Sequence, residues 1–123
     1  MRRLIPLAAA AALLAPAGAL AAGTTPSSVS IAWNARSTYF SGKVSSSQSV
    51  CARNRKVAVY RNSPGADPSV GSTRSSASGN WLLNLSGHPA RGYYYAKAKS
   101  TTVGPVGSRT VCATAKSVVT RAS

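Results

Sequence analysis

Asp67 is the only acidic residue of this 123-residue chain, and His88 is its only histidine. Catalysis by paired carboxylates is therefore excluded, because the chain lacks a second acid. A Ser-His-Asp arrangement would have to join these two residues to one of the many serines. No G-x-S-x-G sequence is present to place such a serine, and each of the two residues is followed by a proline. We therefore expect no catalytic residue, with His88 exposed in a loop.

Tyrosine and lysine dominate residues 93–99, which read Tyr-Tyr-Tyr-Ala-Lys-Ala-Lys. Alternate side chains of a strand point to opposite faces. The small alanines share a face with Tyr94, which suits a core, so the other four side chains are expected to face solvent. The opposite parity would bury Tyr93 and Tyr95 and expose Tyr94. On the strand predicted at 55–61, Lys56 and Tyr60 are expected to point outwards for the same reason.

If these two strands share a sheet, their rings and ammonium groups line one surface. Rings stack on sugars or bases, and cations pair with phosphate or carboxylate, so this surface could bind a polyanion or a carbohydrate. A simpler interpretation is that tyrosine favours strands and that lysine on the wet face prevents edge aggregation. The candidate binding surface consists of Lys56, Tyr60, Tyr93, Tyr95, Lys97 and Lys99.

The first 22 residues have the three parts of a cleavable signal peptide. Arg2 and Arg3 precede an apolar run over residues 4–14, and Ala19-Leu20-Ala21 forms a small-residue exit. The run is shorter than the roughly 20 apolar residues of a membrane-spanning helix. An uncleaved N-terminal anchor is the alternative. We expect a secreted protein, in the periplasm, the cell wall or the medium, with no transmembrane segment in the mature chain.

The basic charge points to acidic partners. Fifteen Lys and Arg against one Asp give a net charge of +14, and removal of Arg2 and Arg3 leaves 13 cations, one anion and +12. Such a field attracts polyanions over about a Debye length. Outside the cell these include acidic wall polymers, glycans, anionic lipid, and nucleic acid bound without sequence specificity. Solubility alone is a second explanation of the charge.

Cys51 and Cys112 are predicted to form a disulfide, because export places them in an oxidising compartment. The bridge would close a loop of about 60 residues and contribute roughly 4 kcal/mol in the chain-entropy view. Two buried free thiols are the alternative. Two distant cysteines and one histidine cannot supply four zinc ligands, and no glycine-rich phosphate loop is present, so we expect neither metal nor cofactor.

Turn residues recur every eight to twelve positions and no helical period is present, which predicts an all-β domain at 29–121 after a flexible lead-in at 23–28. Seven or eight short strands bury a core best as a single two-sheet antiparallel Greek-key sandwich, with Trp33 and Trp81 as core aromatics. The segment 101–108 is predicted to be a loop. The strands are expected near residues 29–33, 39–45, 55–61, 70–75, 81–85, 93–99, 109–113 and 116–120, with the last two either separate or joined as one bulged strand.

Short motifs in residues 40–100 resemble the exported β-sandwich modules of transthyretin-like or carboxypeptidase-regulatory-like type, whose immunoglobulin-like architecture collagen-adhesin B-type repeats share. The resemblance implies a passive bacterial module. The acid that usually opens the turn before the tryptophan is absent, and an internal isopeptide bond is not carried over because Asp67 lies in a turn. The motifs are Gly42-Lys43-Val44, Val57-Ala58-Val59-Tyr60, Ser78-Gly79-Asn80-Trp81, Leu85 and Arg91-Gly92-Tyr93-Tyr94.

These observations give three functional hypotheses. The first is a non-catalytic secreted module with a structural or adhesive role at the cell envelope or outside the cell. The second is a polyanion- or carbohydrate-binding protein of the cell surface whose binding is sensitive to salt. The third is a small exported enzyme inhibitor that presents the 100–108 segment.

Overall fold

The structure, a computed structural model, describes residues 24–123, so the predicted signal peptide lies outside the described residues. Strands account for nearly all the regular structure of this part of the chain, and a single-turn 3-10 helix, η1 (Ser49–Cys51), precedes β5. No helix in residues 24–123 is long and apolar enough to cross a membrane. The strands are β1 (Thr24–Thr25), β2 (Ser27–Val29), β3 (Ala32–Asn34), β4 (Tyr39–Ser46), β5 (Lys56–Arg61), β6 (Ser69–Arg74), β7 (Asn80–Asn84), β8 (Gly92–Ala98), β9 (Thr101–Val103), β10 (Thr110–Cys112), β11 (Ala115–Lys116) and β12 (Thr120–Ala122).

Two antiparallel sheets enclose the core, which confirms the predicted β-sandwich. The front sheet has the order β6–β5–β8, and both β11 and β12 pair with β8. In the back sheet, β4 pairs with β2, β3 and β7. The pairs β4–β7 and β5–β8 join strands that are not consecutive in the chain, as Greek-key connections do.

Strand alternation fills the space between the sheets, as predicted. Tyr94, Ala96 and Ala98 of β8 are buried, which confirms the parity chosen for residues 93–99. Phe40 lies under Tyr94, with 5.3 Å between the ring centroids. Trp81 is also in the core, whereas Trp33 is partly buried and packs against Phe40.

Two serines explain why one edge strand of each sheet is interrupted. Between β2 and β3, Ser30 donates its N–H to the Lys43 carbonyl, and its hydroxyl accepts the Lys43 N–H. Between β11 and β12, Ser117 donates to the Ala96 carbonyl and accepts the Ala96 N–H in the same way. The hydroxyl replaces a backbone carbonyl at each irregularity. Counted as one interrupted strand each, these edges leave seven strands in the two sheets.

A small third sheet was not predicted. β10 pairs in parallel with β1 and antiparallel with β9. The predicted lead-in at 23–28 therefore contains β1 and the start of β2, and β9 occupies the beginning of the predicted 101–108 loop. Pairing between distant segments stabilises these two- and three-residue strands. The local sequence pattern does not indicate that pairing, so the strands could not be predicted from it.

Gly42 shows why the G-x-V motif has a glycine. A Cβ atom at this position would lie 1.9 Å from the Ser30 carbonyl oxygen and 2.8 Å from Trp81 Nε1. We expect Gly42→Ala to lower the free energy of unfolding by about 1–3 kcal/mol, because the back sheet must move to admit the methyl group. Urea unfolding measures this change. Gly65→Ala is the control, since nothing lies within 4 Å of a Cβ there; equal midpoints for the two variants would contradict the expectation.

Candidate functional site

Cationic side chains stand opposite one another on the outward side of the front sheet, which we call the front face. Lys56 of β5 pairs with Arg74 of β6, and Lys97 of β8 pairs with Lys116 of β11. Directly opposite residues have Cβ atoms about 5 Å apart, and like charges in such positions destabilise a sheet. A bound anion would relieve the repulsion between Lys56 and Arg74, whereas the Lys116 ammonium already lies over the Tyr95 ring and is attracted by Asp67.

A groove of about 510 Å³ lies across this face, within the size range of ligand pockets. Ala58 and Ser72 are a cross-strand pair in its lining, and their short side chains leave the space between larger neighbours unfilled. None of the described residues that line the groove is acidic. Its cationic residues come from β5, β6, β8, the turn before β5 and the residue that follows β8; they are Arg53, Arg55, Lys56, Arg74, Lys97 and Lys99.

Four of the six predicted surface residues line this groove: Lys56, Tyr60, Lys97 and Lys99. Tyr93 points outwards and is 50% exposed, but it stands outside the lining, opposite Arg121. Sequence reasoning did not include Arg53, Arg74 or Lys116. These three cations were missed because the sequence does not show which strands are neighbours. Alternation along a single strand does not reveal which cations lie opposite one another across a sheet.

Tyr95 corrects the prediction that its side chain faces water. It lies on the front face but is only 8% exposed. The Tyr60 ring stacks on it, with 5.5 Å between the centroids, and Lys116 Nζ lies 4.4 Å from its ring centroid. Tyr95 therefore supports Tyr60 and Lys116 and offers little surface of its own.

The single acid of the chain, Asp67, lies against the front sheet and is attracted electrostatically to Lys116. Asp67 accepts hydrogen bonds from the Tyr95 hydroxyl at 2.6 Å and from the Ser63 N–H at 2.9 Å. These bonds lower the pKa of the Asp67 carboxyl, with the Tyr95 bond as the main cause. The same bond to Asp67, together with burial, raises the pKa of Tyr95 to about 12. This hydrogen bond, together with the one from the Asn62 N–H to the Tyr93 carbonyl, fastens the 62–68 turn to the front sheet.

We expect Tyr95 to ionise near pH 12, above the ordinary tyrosine value of about 10. Because the folded state favours the neutral phenol, this bond stabilises the fold below pH 10, and its contribution is lost between pH 10 and 12. On the acid side the contribution is lost as pH falls through the lowered pKa of Asp67. Absorbance at 295 nm, compared between the native protein and Tyr95→Phe, isolates the titration. Asp67→Asn should move it towards pH 10; an unchanged curve in Asp67→Asn would contradict the assignment.

Arg55 lines the groove next to Lys56 and is buried, with 3% of its surface exposed. Its Nη1 donates to the Ser27 hydroxyl and the Cys51 carbonyl, at 3.0 and 2.9 Å. Its Nη2 donates to the carbonyls of Lys99 and Ala113, at 3.0 and 2.6 Å. Burial lowers the pKa of the guanidinium. Within residues 24–123 no carboxylate is among its hydrogen-bond acceptors, so its positive charge adds to that of the groove.

The Cys51–Cys112 disulfide is present and links η1 to β10, which confirms the predicted pairing. Both cysteines are fully buried. Val50 precedes the bridge and Arg53 follows it, and both line the groove. The bridge and Arg55 therefore hold the same rim of the groove.

His88 and Asp67 do not contact each other. His88 is exposed, its Nδ1 lies 2.8 Å from the Ser123 carbonyl oxygen, and its ring stands edge-on to Trp33. Asp67 bonds to Tyr95 and Ser63 instead. The two residues that a Ser-His-Asp arrangement would need are therefore engaged in separate contacts.

No protein-family model, curated protein sequence or solved structure matches this chain. The resemblance to transthyretin-like modules accordingly stays a prediction from short motifs. The geometry of the front face is therefore the basis for a functional proposal.

Proposed function

We propose that this chain is a non-catalytic module that binds polyanions through the groove of its front face. The observation that carries the proposal is the set of cations around an unfilled groove that has no acid in its described lining. Two of the cross-strand pairs join like charges. A protein that needed charge only for solubility would gain more from placing those cations apart.

The proposal combines two hypotheses from the sequence. The two are the adhesive module and the polyanion-binding protein. A β-sandwich that binds an acidic polymer of the cell envelope through a basic groove is both. The disulfide and the signal-peptide pattern favour action outside the cytoplasm, where acidic polymers are exposed. An inhibitor role for the 100–108 segment has no comparable support.

Binding of heparin and long-chain polyphosphate, titrated at several salt concentrations, tests this proposal. We expect Lys56→Gln, Arg74→Gln and Lys97→Gln together to weaken binding roughly 100-fold, at about 1 kcal/mol per cation. They should also reduce the slope of log K against log salt by about one for each cation that no longer pairs with the polymer.

The matched control removes three charges elsewhere, by Arg36→Gln, Lys43→Gln and Arg109→Gln. These residues are exposed and lie outside the groove lining. The control should bind within a few-fold of the native protein. Equal losses in the two triple variants would mean that net charge alone drives association, and absent binding at low salt would refute the function.

A further inference from the structure

The groove contains more than cations, and its other residues indicate the class of polyanion. Tyr60 lines it, and one face of the ring lies against Tyr95. Its partner on the opposite neighbour strand is Ser69, whose side chain is too short to cover the second face. One aromatic face is therefore open to a ligand in the groove.

Hydroxyl and amide groups lie along the rest of the groove lining. Side chains of this kind exchange hydrogen bonds with sugar hydroxyls and also contact phosphate. Tyr60 is the single aromatic residue among the described residues that line the groove. Groove proteins for single-stranded nucleic acid stack successive bases on several aromatic side chains, and this lining does not provide them. The polar neutral side chains are Asn54, Ser69, Ser72, Ser100 and Thr101.

The cations define a path across the strands. Arg74, Lys56 and Lys97 come from β6, β5 and β8, and Lys116 from β11 extends the row to a fourth strand. Neighbouring strands are about 4.8 Å apart, so the row spans roughly 14 Å. Its length suits several charged units of a linear chain better than a single small anion.

We propose that the groove binds an acidic polysaccharide, laid across the strands with one sugar ring on Tyr60 and its acidic groups on the cationic row. This inference rests on the proposed function and deepens it. The sugar ring presents C–H groups to the open face of Tyr60. The carboxylate or sulfate substituents pair with Lys56, Arg74 and Lys97, and the small residues Ala58 and Ser72 leave room for the chain.

The test compares Tyr60→Ala with the native protein on four polymers. Polygalacturonate and heparin oligosaccharides carry sugar rings with carboxylate or sulfate, polyphosphate carries charge without rings, and oligo(dT) carries phosphate with bases. We expect Tyr60→Ala to weaken the binding of both saccharides roughly tenfold. The affinity for polyphosphate should change by less than about twofold. Saccharide affinity should rise from disaccharide to tetrasaccharide and then level off, as the path of limited length requires.

Two variants keep the result interpretable. Tyr60→Phe retains the ring and should bind saccharides like the native protein, and Tyr93→Ala removes an exposed ring outside the groove and should change nothing. An equal effect of Tyr60→Ala on polyphosphate, or tighter binding of oligo(dT) than of either saccharide, would overturn the saccharide assignment while leaving polyanion binding intact. Absence of binding to all four polymers would overturn both proposals.

Discussion

Reduction of the Cys51–Cys112 disulfide is expected to lower the free energy of unfolding by roughly 4 kcal/mol. The bridge joins residues that are 61 positions apart, so it constrains most of the unfolded domain. For a domain of this size the loss corresponds to a fall in melting temperature of about 20 °C. Thermal melts followed by circular dichroism, with and without a phosphine reductant, measure the change. Mass spectrometry of alkylated protein establishes that the bridge has been opened.

The double variant Cys51→Ala, Cys112→Ala is the control for this experiment. Its melting temperature should be low and should not respond to reductant. The groove rim depends on the same bridge, so polyanion affinity should fall with reduction even below the melting temperature. An unchanged melt after complete reduction would show that the disulfide contributes nothing to stability.

Replacement of Arg55 by methionine is expected to destabilise the domain by about 3 kcal/mol. Four acceptors lose their donor, and a buried acceptor left without a partner costs about 1–3 kcal/mol. Relief from burying a charge offsets part of this cost, and entry of water offsets more. Urea unfolding at neutral pH measures the net effect.

Arg53→Met is the matched control, because Arg53 is exposed and its loss should change stability by less than about 0.5 kcal/mol. Arg55→Lys retains the charge but should be destabilised nearly as much as Arg55→Met. One ammonium group cannot replace two guanidinium nitrogens that donate to four acceptors. A fully stable Arg55→Met protein would contradict the view that Arg55 holds the rim of the groove together.

Much of the sandwich could be predicted because alternation and residue size carry the information locally. The alanines beside Tyr94 fixed the parity of β8, and Val57 and Val59 did the same for β5. The fully buried state of these residues follows from the pattern alone. The disulfide could be predicted because the inferred compartment favours one state of the two cysteines.

The groove and its support could not be predicted in the same way. Lys116 meets Lys97, and Arg74 meets Lys56, only through the register of β11 and β6, which distant packing decides. The burial of Tyr95 depends on a turn that places Asp67 over its hydroxyl. Arg55 carries no local sign of burial, because three of its four acceptors, on Ser27, Lys99 and Ala113, come from distant segments of the chain.

Polyanion binding at the front face underlies both functional proposals, and an amide chemical-shift titration can locate it residue by residue. Isotope-labelled protein without the predicted signal peptide at residues 1–22 is titrated with heparin oligosaccharide at low and at physiological salt. We expect the largest shifts on β5, β6 and β8, around Lys56, Arg74 and Lys97, and we expect them to shrink as salt increases. Shifts concentrated on β4 and β7, or spread evenly over all exposed cations, would show that the groove is not the binding site.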